Sequence, residues 1–306
     1  MKREIINMGH SVRTRLKMLA KANGRDANYL FQRYAFERFY YRIGKSPYAN
    51  NFILKGAALF SVWIGPMFRV TQDTDLESTL TPDHERMKAV FREIAQIEVT
   101  CDDGVRYDIS SIEISDIKAE DEYKGIRIKF NAYIEQARIR LQFDIGFGDS
   151  IYPRAVLAEY PTLLGGDAPQ LKVYPQYSVV AEKASVMFTR GMDNSRLKDY
   201  FDIWALSETF AFDKGVLKTA VARTFRRNGI EMTEAWPVGL TDRFAQSPMK
   251  LSQWNAFLRK TEPRSSPESL TVAVERIREL LAPIFWEKET TMMTWSPVDK
   301  RWNHKK

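Results

Sequence analysis

Cysteine is nearly absent: Cys101 stands alone in 306 residues. No disulfide can close within the chain, and a reduced thiol in a cytoplasmic protein is the expected state. Histidine is scarce too. His10, His84 and His304 are far apart and have no cysteine partner, which argues against a structural zinc site. The same scarcity disfavours a Ser-His-Asp or Cys-His mechanism, so any chemistry falls to carboxylates and lysines. Long apolar runs are missing as well. Nothing approaches the roughly 18–20 apolar residues of a bilayer span. The opening MKREIINMGH is charged and has no apolar stretch of a signal peptide, so neither membrane nor secretion is expected. There is no internal repeat and no low-complexity tract. What is present, 44% hydrophobic and 28% charged residues, is ordinary for a soluble globular protein. The length suggests about two domains.

Charge is uneven along the chain. The formal net charge is +7. Residues 1–50 alone net +8, and residues 101–150 net −4. Basic ends around an acidic middle fit a carboxylate centre flanked by surfaces that attract polyanions. Solvated helix faces are the plainer account of the same counts.

The pattern reads as helices, then a mixed sheet, then a helical half. Ser11 to Asn23 is a basic helix. Asp26 caps a second one, whose apolar stripe holds Tyr29, Phe36, Phe39, Tyr40 and Ile43, and which Gly44 and Pro47 end. Phe52–Leu54 is a short apolar run that turns at Lys55-Gly56 into a helical pattern. Phe68 to Glu77 reads as a strand and Asp83 to Ala95 as a surface helix. Val105–Ile117, Gly125–Ile134 and Arg138–Phe147 alternate with period two, with Gln136-Ala137 in the turn between the last two. Residues 151–177 carry four prolines and Gly165-Gly166 and read as an irregular crossing segment. Helices follow at about 178–190, 195–210, 213–227, 240–260 and 266–287. The last segment, from Thr290, reads as a loose tail. The expected class is α+β, with domains at 1–165 and 166–306.

The residues that point to chemistry lie in LKGAALFSVWIGPMFRVTQDTDLE, 54–77. A strand enters a turn at Gly56, where the missing Cβ lets a phosphate approach the backbone. The amides that open the next helix would face it. The returning strand would show Arg69, Thr71, Asp73 and Asp75 on one face. Neighbouring carboxylates repel unless a hard cation sits between them, and Mg²⁺ takes such ligands together with substrate phosphates. Asp144, between Phe143 and Ile145, offers a third carboxylate of the kind two-metal transfer uses.

These motifs resemble the AbiEii-type toxin nucleotidyltransferases of the DNA polymerase β-like superfamily. The resemblance starts at Gln32, Glu37 and Arg38. It sharpens at Phe52–Gly56, runs through Arg69, Thr71, Asp73, Asp75 and Asp144, and resumes at Val180–Lys183 and Arg196–Asp202. It implies a polymerase β-like nucleotidyltransferase domain followed by a helical one. It further implies Asp73 and Asp75 as metal ligands, assisted by Asp144, with Asp199 required for activity. Gly56, Ala57, Arg69 and Lys183 would contact the nucleotide. The activity implied is Mg²⁺-dependent transfer of NMP from an NTP to RNA, with tRNA the expected acceptor. The setting implied is a toxin–antitoxin or phage-defence (abortive infection) pair with a cognate antitoxin. The chain departs from the family pattern twice: Ala57 and Ala58 stand where a hydroxyl residue follows the glycine, and Gln142 stands where Lys-x-Asp has its lysine.

Plainer readings remain open at this stage. Lys183 could snorkel from an apolar helix. Lys198 and Asp202 could form an i,i+4 pair, leaving Asp199 on another face. Gln32, Glu37 and Arg38 fit surface or scaffold positions. A small-molecule hydroxyl could replace RNA as acceptor, or the chain could be a non-catalytic binder of NTP or nucleic acid.

Overall fold

The computed structural model describes residues 7–65, 68, 70–117, 125–232, 235–263, 265–286 and 292–304. The chain divides into two compact units. One is Met1–Asp149 with Val156–Val173, and the other is Ser150–Ala155 with Tyr174–Lys306. The stretch around 150–173, where the sequence sets its expected boundary at 165, thus contributes to both. Among the described residues no helix is long and apolar enough to cross a membrane.

The first unit opens with α1 (Met8–Ala22), capped by Asn7, which buries Val12, Leu16 and Ala20 at a spacing of four. Next comes α2 (Ala27–Lys45), whose first turn is closed by Tyr29 N donating to Asp26 Oδ1 at 3.0 Å. The alternation of short strands and helices continues with β1 (Phe52–Lys55), a single 3-10 turn at Gly56–Ala58, α3 (Leu59–Trp63) and β2 (Thr74–Ser78). The expected strand from Phe68 therefore begins only at Thr74. Thr71 Oγ1 donates to Asp73 Oδ1 at 2.9 Å, a local bond that competes with a strand ladder. Then follow α4 (His84–Ala95), β3 (Val105–Asp116), β4 (Gly125–Ile134) and β5 (Ala137–Phe147). The β4–β5 turn is Glu135-Gln136, one residue earlier than expected, with Ile134 opposite Ala137.

Two further strands, β6 (Val156–Glu159) and β7 (Gln170–Val173), correct the reading of 151–177 as irregular. Each has four residues, too short for a period to stand out. The sheet runs β3-β4-β5-β2-β1-β7-β6. The β2–β5 and β1–β7 pairs are parallel and the others antiparallel.

Alternation splits the sheet into two unlike faces. Leu54, Leu76, Ile128, Phe130, Phe143 and Ile145 form the apolar face and are almost fully buried. The α2 ring of Phe39 lies 4.8 Å from Phe143 and 5.4 Å from Phe91 of α4. Each such ring contributes about 1.5–3 kcal/mol on burial. Tyr40 and Thr74 share a hydroxyl hydrogen bond of 2.6 Å that ties α2 to β2. The opposite face carries Lys55, Asp75, Glu77, Asp144 and Arg127, which sets up the site described next.

The second unit contains α5 (Gln176–Arg190), α6 (Leu197–Thr209), β8 (Phe212–Asp213), α7 (Lys214–Arg227), α8 (Asp242–Ala245), α9 (Pro248–Thr261) and α10 (Leu270–Phe285). It closes with β9 (Met293–Ser296) and β10 (Arg301–His304). The helix expected over 240–260 is broken because Pro248 starts a new one. The expected loose tail is instead a hairpin that pairs with β8. Trp295 anchors it, fully buried, with Nε1 donating to Ser207 O at 2.8 Å. That order depends on a partner some 80 residues away in sequence, which a local period cannot reveal.

Candidate active site

Register brings four charged side chains into one row across the polar face. Lys55 on β1 lies opposite Asp75 on β2, Asp75 beside Asp144 on β5, and Asp144 opposite Arg127 on β4. Gly56 follows Lys55 with φ +68°, a left-handed conformation that glycine adopts without strain. A Cβ at this position would lie 1.9 Å from Asp75 Oδ2. The bend therefore needs glycine twice over, once for backbone conformation and once to seat the Asp75 carboxylate. The sequence places Gly56, Asp75 and Asp144 in this neighbourhood, and the structure brings them there.

Asp144 is not an open carboxylate. Arg127 grips it as a fork, with Nε to Oδ1 and Nη2 to Oδ2 both at 2.8 Å. Gln142 Nε2 adds weaker contacts at 3.3 and 3.4 Å. Among the described residues no group of three His, Cys, Asp or Glu could hold a metal ion. Asp144 is thus paired with Arg127, while Asp75 lies beside it in register. Sequence pattern does not single out Arg127, although its position opposite Asp144 in a two-residue hairpin follows once the turn is fixed.

Asp73 precedes β2 rather than lying on it. Together with Thr71 it lines a narrow cavity that Tyr29, Arg33 and Ser61 also line. Arg69 lies outside the described residues. The helix after Gly56 is short: α3 has five residues. Its dipole is therefore small, and a phosphate near Gly56 would need its positive charge from side chains.

Beside the row sits a buried ionic cluster. Lys55 Nζ meets Glu77 Oε2 at 3.2 Å and also Asp149, whose backbone N donates to Glu77 Oε1 at 2.7 Å. Gly146 leaves room for it, since a Cβ there would lie 2.7 Å from Lys55 Nζ. Burial pushes the Glu77 carboxyl up to about 7; Lys55 pulls it down and Asp149 adds to the rise.

Lys183, Asp199 and Asp202 lie in the second unit and meet one another. Lys183 Nζ on α5 contacts Asp199 Oδ1 at 2.5 Å and Asp202 Oδ2 at 2.9 Å, both on α6. Arg196 Nε meets Asp199 Oδ2 at 2.8 Å. Both aspartates are fully buried, whereas Lys198 is exposed. Asp202 therefore faces inward to Lys183, which sets aside the plainer reading of a Lys198–Asp202 pair. Burial alone would push Asp199 up, but Lys183, Arg196 and Lys198 hold it well below the usual carboxylate range. Burial opposes the charge on Lys183, and the two aspartates more than offset that and raise its pKa.

The α2 polar residues are scaffold rather than surface. Gln32 Nε2 donates to Gln72 O at 3.2 Å and Arg140 O at 2.9 Å. Glu37 accepts from Leu163 N at 2.8 Å and meets Arg38 at 3.0 Å. Arg38 also donates to Asp167 O at 2.9 Å.

Comparison with known proteins adds the family. No curated protein matches the chain. Two solved structures are similar at 12% identity and a TM-score of 0.42. One is JHP933 from Helicobacter pylori, aligned over 83% of this chain and 93% of that one. The other is a candidate nucleotidyltransferase from H. pylori, aligned over 84% and 97%. Residues 38–282 match the sequence model of the nucleotidyl transferase AbiEii toxins of type IV toxin–antitoxin systems. That match spans well over half of the sequence, and the chain belongs to the AbiEii nucleotidyl transferase toxin family.

Proposed function

We propose that this protein is a Mg²⁺-dependent toxin that transfers a nucleoside monophosphate from an NTP to a hydroxyl of RNA, with tRNA as the acceptor class. It acts in the cytoplasm and is restrained by a cognate antitoxin. The observation that carries this reading is the Asp75 carboxylate seated against Gly56, with Asp144 in register beside it.

The donor set fits a hard cation. Asp73 and Asp75 would hold Mg²⁺, which takes one or two carboxylates and completes its shell with phosphates and water. When bound, the ion would offset charge on the triphosphate and the leaving pyrophosphate. In the transfer, the acceptor hydroxyl loses its proton to solvent and its oxygen bonds to the α-phosphorus. The α–β P–O bond breaks, and pyrophosphate leaves with the electron pair. The space that the missing Gly56 Cβ leaves is taken by the Asp75 carboxylate, so the triphosphate would be held near this bend through the cation rather than on the Gly56 backbone. The family resemblance gives Lys183, held charged by Asp199 and Asp202, as a nucleotide contact. Asp199 is a poor base because its proton affinity is lowered, so its role is to position Lys183.

One observation favours a second reading, a non-catalytic NTP or nucleic-acid binder: Arg127 occupies both oxygens of Asp144. Incubation with each α-phosphate-labelled NTP, Mg²⁺ and total RNA separates the two. Label in one RNA size class supports transfer and identifies donor and acceptor. No label in any RNA from any of the nucleotides removes the RNA transferase reading.

A further inference from the structure

Arg33 lies on α2, on the stripe Tyr29, Arg33, Phe36, Tyr40 that faces into the first unit. It is 6% exposed. Its Nε, Nη1 and Nη2 are all buried, and none has a hydrogen-bond partner among the described residues. A guanidinium cannot shed its proton to escape that cost. Charged groups buried to this degree are ordinarily paired, because leaving water without a partner is expensive. The neighbours on the same helix follow that rule. Arg38 reaches Asp167 O, and Arg42 Nη1 donates to Asp103 Oδ2 at 2.6 Å. Arg33 departs from it and lines a cavity.

That cavity, about 20 Å³, is lined by Tyr29, Arg33, Ala58, Ser61, Thr71 and Asp73 together with aromatic rings of α2. Ala58 is the last residue of the Gly56 turn, so the cavity adjoins the bend where the triphosphate is proposed to approach. The Ser61 hydroxyl can donate there, whereas the Thr71 hydroxyl is already committed to Asp73. A neutral carbonyl ligand would satisfy guanidinium hydrogen bonds and leave the charge to the field of Glu37 one turn on, which Arg38 shares. A phosphate satisfies both, and its oxygens match the planar fork of arginine. Asp73 on the same wall repels a bare phosphate, so the ligand should enter as a complex with a divalent cation.

We infer that Arg33 binds a phosphate group of the nucleotide at the cavity between α2 and the Gly56 turn, which widens from its water-sized form to admit it. The identity of the ligand as a nucleotide rests on the transferase reading; the demand for an anion rests on the orphaned guanidinium.

The test uses the full chain, its Arg33→Met and Arg33→Lys variants, and inorganic tripolyphosphate with Mg²⁺ as the probe. Calorimetry reads affinity, and thermal melting of the unliganded chain reads stability. Arg33→Met removes no protein hydrogen bond, so at about pH 5, where Glu37 is protonated and does not need the Arg33 charge, the expected melting temperature is unchanged or higher. Tripolyphosphate affinity should fall about tenfold or more, the scale of one lost charge-assisted contact. Arg33→Lys, which keeps the charge without the fork, should fall between. A variant with parent affinity overturns the inference, and a lower melting temperature with parent affinity marks Arg33 as structural. If Arg33→Met does not fold, Arg33→Lys decides by the same affinity criterion. A parent chain that binds tripolyphosphate through Arg33 but labels no acceptor removes the transferase reading and leaves this one standing. A parent chain that does not bind the probe removes this one, and the labelling assay then judges the transferase separately.

Discussion

At the scale of single residues, the contact between Gly56 and Asp75 concentrates backbone and side-chain demands at one point. Gly56→Ala would force a Cβ onto a carboxylate oxygen 1.9 Å away in a left-handed turn. The left-handed conformation alone costs about 1–2 kcal/mol. The expected result is a lower melting temperature together with loss of transfer. Asp73→Asn is the cleaner probe. Asn keeps the shape and an oxygen for the Thr71 hydroxyl, so the melting temperature should hold. Transfer should fall by about 10²-fold or more, the scale of deleting one preorganised electrostatic group. Parent-level labelling by Asp73→Asn would sink the metal assignment. Asp75 and Asp144 were legible in the sequence because each is a charge set in an alternating strand. Arg127 was not, because its meaning comes from hairpin register. Arg33 left a signal that could have been read: a charge at helical spacing, four after Tyr29 and three before Phe36, on an otherwise aromatic stripe.

At the scale of elements, the helices other than the one expected over 240–260, and the β3–β4–β5 meander, could be read from local period and capping residues. Asp26 and Asp83 each accept from an amide three residues on, as their positions imply. What escaped was non-local: β6 and β7 at the sheet edge, and the β9–β10 hairpin on β8. The α5–α6 pairing was also hidden, since nothing local says that Lys183 meets Asp202. That pairing carries a prediction. Lys183→Met leaves Asp199 and Asp202 buried with fewer cations, and breaking such a cluster costs about 3–5 kcal/mol. Chemical denaturation should show that loss, and Lys183→Met with Asp199→Asn and Asp202→Asn should recover part of it. Unchanged stability in Lys183→Met would mean the cluster is not closed in solution. Any activity loss in a Lys183 variant therefore needs a melt beside it. α1 bears a different expectation. Lys17 and Lys21 are exposed on it. If they meet acceptor phosphates, Lys17→Glu with Lys21→Glu should weaken RNA binding and flatten its log–log salt dependence by about 0.7–0.9 per lost contact. A parent slope in the double variant would move the acceptor surface elsewhere.

At the scale of the whole molecule, buried carboxyls set opposing pH dependences. Burial pushes Glu37 up to about 7 against the pull of Arg38 and the Leu163 amide, and Glu77 up to about 7 as well. An unfolded chain releases these protons near 4.5. Between 4.5 and about 7 the folded chain holds more protons than the unfolded one, so stability falls as pH rises through that window. Asp199 has the opposite sign. Its folded value lies below the ordinary 3.8, so its contribution is present above 3.8 and is lost as pH falls toward the folded value. The two trends put the most stable condition on the acid side of neutrality. The melting temperature should therefore be higher at about pH 5 than at about pH 8. Gln is neutral like protonated Glu and similar in shape, so Glu77→Gln should match the parent at the lower pH. At the higher pH it should melt above the parent. Glu37→Gln should behave the same way, and the double variant should be nearly flat between the two conditions. A parent decline that persists undiminished in the double variant would assign it to other groups and leave both glutamates ionised in the folded chain.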